Sequence, residues 1–101
     1  MFKQENRYVS RQVNETVPMQ LQILLWSMID SLKEKKKLDY LQIFRLKVKG
    51  DKVLIEHEQE VPPYKEQYEV EKEKFPIEFD MKIYVIDSGG EYSTMIFADE
   101  Y

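Results

Sequence analysis

Few residues in this chain can move a proton or hold a metal near neutral pH, and their types narrow the chemistry quickly. There is one histidine, His57, and no cysteine. Thiolate zinc sites, disulfides, cysteine nucleophiles and mechanisms built on paired histidines are therefore excluded. His57 is the side chain whose ordinary pKa lies closest to neutrality. Its neighbours Glu56 and Glu58 form no dyad with it, because side chains alternate along a strand and both carboxylates point to the other face. Glu56, Glu58 and Glu60 do share a face and are the natural ligands for a hard cation such as Mg²⁺. Their spacing of roughly 6–7 Å per two residues is too wide for one ion unless other segments contribute. The five serines and two threonines stand near no base in sequence, and no Gly-x-Ser-x-Gly occurs. Gly89-Gly90 lacks the Lys-Ser/Thr that completes a phosphate cradle. The residues thus assign no catalytic group, no metal ligand and no cofactor, and His57 reads as a partly buried structural imidazole.

Charge is the next chemical signal. The formal net charge is -4 over 101 residues, but the first half is basic and the second acidic. Lys33, Lys35, Lys36 and Lys37 are followed by Arg45, Lys47 and Lys49, while the carboxylates gather between Glu56 and Asp80. The basic stretch could meet a phosphate backbone. Acidic groups folded within a Debye length, roughly 8 Å, would instead neutralise it.

These residues need elements to position them. Tyr8 to Val13, with β-branched and aromatic residues, predicts a first strand. Asn14-Glu15-Thr16-Val17-Pro18 predicts a helix start, with Thr16 as cap and Pro18 in the first turn, and the helix runs to about Lys36. Leu21, Leu24, Leu25, Met28, Ile29 and Leu32 recur at helical spacing and form its apolar face. Met19, Ile23 and Trp26 fall nearly opposite, as a second stripe that Asp30 ends. A helix lying on a sheet with its back in water has no use for such a stripe. Either the stretch around 61–79 covers it, or a second protein chain does.

Gly50-Asp51 predicts a tight hairpin between Tyr40–Lys49 and Lys52–Val61. In that register Val48 faces Val53, Leu46 faces Ile55, Phe44 faces His57 and Gln42 faces Gln59 on the core side. Arg45 faces Glu56 on the other, and a one-residue slip would spoil both faces. Val61-Pro62-Pro63 ends the second strand. From 64 to 79 an edge strand and a solvated loop both fit, with Phe75 to Phe79 tucking into the core edge. Met81–Asp87 and Tyr92–Ala98 form a last hairpin through Ser88-Gly89-Gly90-Glu91. The expected fold is α+β: one main amphipathic helix packed on a largely antiparallel sheet, in the order β-α-β-β-(β)-β-β, as a single domain over residues 1–101.

Met1-Phe2-Lys3, Asn6-Arg7-Tyr8-Val9, the Pro18–Leu32 helix with Leu25-Trp26, Leu38 to Phe44, Gln59-Glu60-Val61-Pro62, and Ser93-Thr94-Met95 through Ala98 to Tyr101 together carry a resemblance. The chain resembles the small Firmicute, staphylococcal-type family catalogued as domain of unknown function 960, over nearly its full length. The resemblance implies a bacterial cytosolic setting and supplies no activity, substrate or catalytic residue.

No apolar run approaches the roughly 18 residues a membrane span needs, so the expected partner is not a membrane and the expected location is cytoplasmic. The leading functional expectation is a non-catalytic protein-interaction module, self-associating or with another protein partner, through Met19, Ile23 and Trp26 or through tyrosines exposed on the sheet. The alternatives are a small carboxylate-dependent, metal-assisted hydrolase and a nucleic-acid-binding regulator using the basic 33–52 region.

Overall fold

The computed structural model describes all residues, 1–101. Six strands, β1 (Arg7–Val9), β2 (Leu41–Lys49), β3 (Lys52–Gln59), β4 (Tyr64–Glu71), β5 (Met81–Ser88) and β6 (Tyr92–Phe97), build one sheet in the spatial order β1-β6-β5-β2-β3-β4. Only β1 and β6 run parallel; the other pairs are antiparallel. Two helices, α1 (Arg11–Thr16) and α2 (Met19–Lys33), intervene between β1 and β2, and a 3-10 turn (Ala98–Glu100) follows β6. The expected α+β architecture and element order are met, with α1 added.

The start of the chain departs from expectation at Ser10. Residues 11–13 do not extend the first strand, because the Ser10 hydroxyl accepts the Val13 amide at 3.1 Å and its carbonyl accepts that of Asn14 at 2.9 Å. A serine so placed caps a helix, and Arg11 onward turns with it. Thr16 consequently ends α1 and does not cap α2. The α2 cap is Pro18, whose carbonyl takes the amides of Leu21 and Gln22, both at 3.0 Å. Proline cannot continue the first helix, so the chain bends at Val17-Pro18 and starts a second.

The β2–β3 register is the expected one, from Ile43 opposite Glu58 to Lys49 opposite Lys52, closed by Gly50 at φ 60. Glycine tolerates that conformation at little cost. Residues 64–71 are a strand at the sheet edge, paired with β3 from Lys52–Glu71 to Gln59–Tyr64. Past it, Ile77 enters the core, whereas Phe79 remains exposed.

One continuous core lies between α2 and one face of the sheet. Leu21, Leu25, Ile29 and Leu32 meet Phe44, Leu46, Val53, Ile55, Ile83, Val85 and Met95, all at least 98% buried. Alternation along the strands sends their neighbours to the opposite face. No helix or strand covers that second face; Tyr101, beyond the 3-10 turn, packs edge-on against Tyr84 there with ring centroids 5.6 Å apart.

Candidate interaction surfaces

His57 sits where the sequence placed it, fully buried and stacked on Phe44 at 4.4 Å. Its Nε2 lies 2.7 Å from Gln42 Oε1. Gln42 uses its amide nitrogen on Gln59 Oε1 and on the Asp39 carbonyl, at 2.7 and 2.9 Å. Its oxygen therefore faces the ring, and His57 Nε2 carries the proton. Nδ1 is left as a buried acceptor without a partner. Burial pushes the imidazole pKa down to about 4, so the ring is neutral at physiological pH. Gln59 completes the network, donating to the carbonyls of Lys37 and Pro62 and accepting from the Asp39 amide. The network pins the α2–β2 loop to the end of β3.

The three residues of the second helical stripe have different fates. Trp26 is half-buried against the core, and Arg7 lies over its ring at 4.8 Å from the centroid. Arg7 in turn grips Asp30 through both terminal nitrogens and donates to the carbonyls of Phe2 and Lys3. Within the chain, cover for the indole comes from Arg7 at the start of β1. Met19 and Ile23, at 59% and 60% exposure, remain open to solvent.

The basic stretch is divided. Lys33 to Lys37 are exposed at and beyond the end of α2, on the covered side of the sheet. Arg45, Lys47 and Lys49 project from the opposite face, by alternation from the buried Phe44 and Leu46. Arg45 is neutralised there by Glu56 and Glu58, and Lys52 by Glu71. That pairing raises the Arg45 pKa and lowers that of Glu58. Lys47 and Lys49 join Arg45, Leu54, Glu56 and Gln67 around a depression of about 270 Å³. No three carboxylate or histidine groups converge as a metal site would require.

The uncovered sheet face carries a second set of apolar side chains. Its β1, β6 and β5 side displays Tyr8, Tyr92, Ile96, Tyr84 and Ile86, and β2 adds Leu41 and Ile43. Tyr8 and Tyr92 pack edge-on with centroids 6.2 Å apart and remain 54% and 46% exposed. Alternation foretold two-faced strands, but the absence of a second layer was not legible from residue patterns.

A mixed sheet with one helical layer and an open tyrosine-bearing face defines a small α+β domain. The model of the family described as "Staphylococcal protein of unknown function (DUF960)" matches residues 6–100, and the chain belongs to that family. Among solved structures, the chain is similar to the crystal structure of a protein of unknown function from Enterococcus faecalis. That likeness has a TM-score of 0.82 and 24% identity, and it covers 99% of this chain and 94% of the other; it shows a shared fold. A comparison with curated proteins gives no significant match. No helix is long and apolar enough to cross a membrane.

Proposed function

We propose that the protein is a non-catalytic protein-interaction module whose main contact surface is the uncovered sheet face around Tyr8, Tyr84 and Tyr92. The observation that carries this reading is the one-sided sheet: α2 covers one face, and the other presents Tyr8 and Tyr92 to water beside half-buried Tyr84, Ile86 and Ile96. Tyrosine buries large area at low entropic cost and is enriched where proteins meet. Patches of this kind on a monomer mark contact sites more often than chance exposure. Met19 and Ile23 form a second, smaller contact point on α2, with Trp26 as the rigid platform beside them.

The nucleic-acid reading is weakened by the division of the basic residues between two sides of the sheet and by the carboxylates beside Arg45. The hydrolase reading lacks converging groups, since Glu56 and Glu58 are spent on Arg45.

A photo-activatable phenylalanine analogue placed at Tyr92, with the same analogue at exposed Asn14 as control, tests the proposal in the native bacterial cell. A discrete protein adduct specific to position 92 is expected. Equal smears from both positions, or no adduct from position 92, overturn the assignment.

A further inference from the structure

The two edges of the sheet are unequal. The β1 edge is three residues long, whereas β4 is an eight-residue strand in continuous register with β3, with no bulge and no internal proline. Such edges in monomers are ordinarily short, broken or covered. Which β4 groups are free follows from one bond: Lys72 N–H donates to the Asp51 carbonyl at 2.9 Å across the continuation of the β3–β4 register. Alternation in an antiparallel ladder then directs the even-numbered amides and carbonyls of β4 toward β3. Those of Lys65, Gln67 and Glu69 face outward, unpaired, as does the Glu71 amide; the Glu71 carbonyl is taken by the Lys74 and Phe75 amides, both at 3.1 Å.

We infer that β4 pairs antiparallel with β4 of a second copy of this chain about a two-fold axis at Tyr68, joining two sheets into one of twelve strands. The sequence of the strand is self-complementary in this register. Lys65 faces Glu71 of the partner subunit at both ends, and Gln67 faces Glu69 of the partner subunit between them. Each of these four pairs joins outward-facing residues, so the seam holds about six backbone hydrogen bonds: two for each Gln67–Glu69 pair and one for each Lys65–Glu71 pair, whose Glu71 carbonyl is already engaged. Shifting the axis to Gln67 brings Pro63 into the ladder and loses a donor; shifting it to Glu69 sets that carboxylate against its own copy.

On the helix side the same axis sets Glu66 opposite Val70 of the partner subunit and Tyr68 opposite its own copy. A groove of about 370 Å³ separates α2 from β4, lined by Leu24, Met28 and Leu32 on one wall and Tyr64, Tyr68 and Val70 on the other. Tyr68 is 43% exposed at its rim and, in this register, meets its own copy in a non-hydrogen-bonded pair, where side chains approach most closely. A two-fold axis perpendicular to the sheet keeps both α2 helices on one side and merges the two grooves into one apolar trough. The interface is isologous, as closed dimers require. This inference goes beyond the interaction reading and does not depend on it, because a β4 seam leaves the Tyr8–Tyr92 face free.

The chain has no cysteine, so single replacements report the register directly. Facing Cα atoms in a non-hydrogen-bonded pair stand ~4.5 Å apart, within disulfide reach. Two copies of residue 70 would lie roughly 13 Å apart along the seam, out of reach. Light scattering of the intact chain from micromolar to millimolar concentration should give a dimer mass. Under mild oxidation Tyr68→Cys should form a covalent dimer and Val70→Cys should not, with unchanged circular dichroism in both. A monomer mass throughout the range overturns the inference. So does a dimer in which Tyr68→Cys fails to link, or in which Val70→Cys links as readily.

Discussion

Acid should weaken this fold in a pH window that belongs to one residue. His57 titrates near 6.5 when unfolded and at about 4 in the folded protein, because burial disfavours the charged ring. The unfolded chain therefore takes up a proton between those values while the folded chain does not. Stability is complete above pH 6.5 and falls as pH drops toward 4. With 1.36 kcal/mol per pKa unit, the loss between pH 7.5 and 4.5 is about 2.5 kcal/mol. The assay is urea unfolding at both pH values, followed by the fluorescence of Trp26 and by circular dichroism, for the native chain and for His57→Phe. Phenylalanine keeps the stack on Phe44 but strands Gln42 Oε1, so the variant should be less stable at pH 7.5 by about 1–3 kcal/mol. Its loss on acidification should be smaller than that of the native chain by about 2.5 kcal/mol. Carboxylates such as Glu66, the exposed cross-strand neighbour of His57, are present in both proteins and cancel in the comparison. Parallel loss of stability in the two chains would refute the buried neutral imidazole.

Two further perturbations address the joints that hold the surfaces in place. Arg7→Met should remove the cover of Trp26 and strand Asp30, costing about 1–3 kcal/mol and shifting the indole emission to the red; an unchanged spectrum and melting temperature would show that Arg7 does not hold the strap. Gln59→Leu should leave the Lys37 and Pro62 carbonyls and the Asp39 amide unpaired, lowering stability by about 2–4 kcal/mol, read by thermal unfolding, with faster amide exchange confined to residues 37–40 and 60–62.

The parts of this molecule legible in its sequence are those fixed by local periodicity. The β2–β3 hairpin was readable because Gly50-Asp51 sets the turn and only one register puts Phe44, Leu46, Val53, Ile55 and His57 on a common face. The apolar side of α2 was readable for the same reason: Leu21, Leu25, Ile29 and Leu32 are buried and Leu24 and Met28 half-buried, as the helical spacing requires. What decided the rest lies between residues far apart in the chain. Ser10 looks like one more strand residue until its hydroxyl is seen capping α1 and donating to Glu100, ninety residues away. The division of the basic stretch was implicit in the expected register, which puts Arg45, Lys47 and Lys49 on the face away from the core that α2 covers.

Trp26 shows how such distance alters a functional argument. Its helical phase, opposite Leu21 and Leu25, correctly signalled a need for shelter, but phase is silent on the source. Arg7 supplies it from 19 positions upstream, combining a cation over the ring with a two-toothed grip on Asp30. An arginine can do this because its planar guanidinium stacks and donates at once. Arg7 covers part of the indole from within the chain, and Met19 and Ile23 beside it stay exposed. Further apolar area open to water lies on the sheet, where Tyr8 and Tyr92 share a face and β4 offers unpaired backbone at the far edge. Tyr8 and Tyr92 lie five and four strands from β4 in one sheet, so a copy docked on the edge does not compete with a partner docked around them. That separation makes the two experiments above independent: a monomer by light scattering would remove the seam and leave the tyrosine face to be judged by its own adduct.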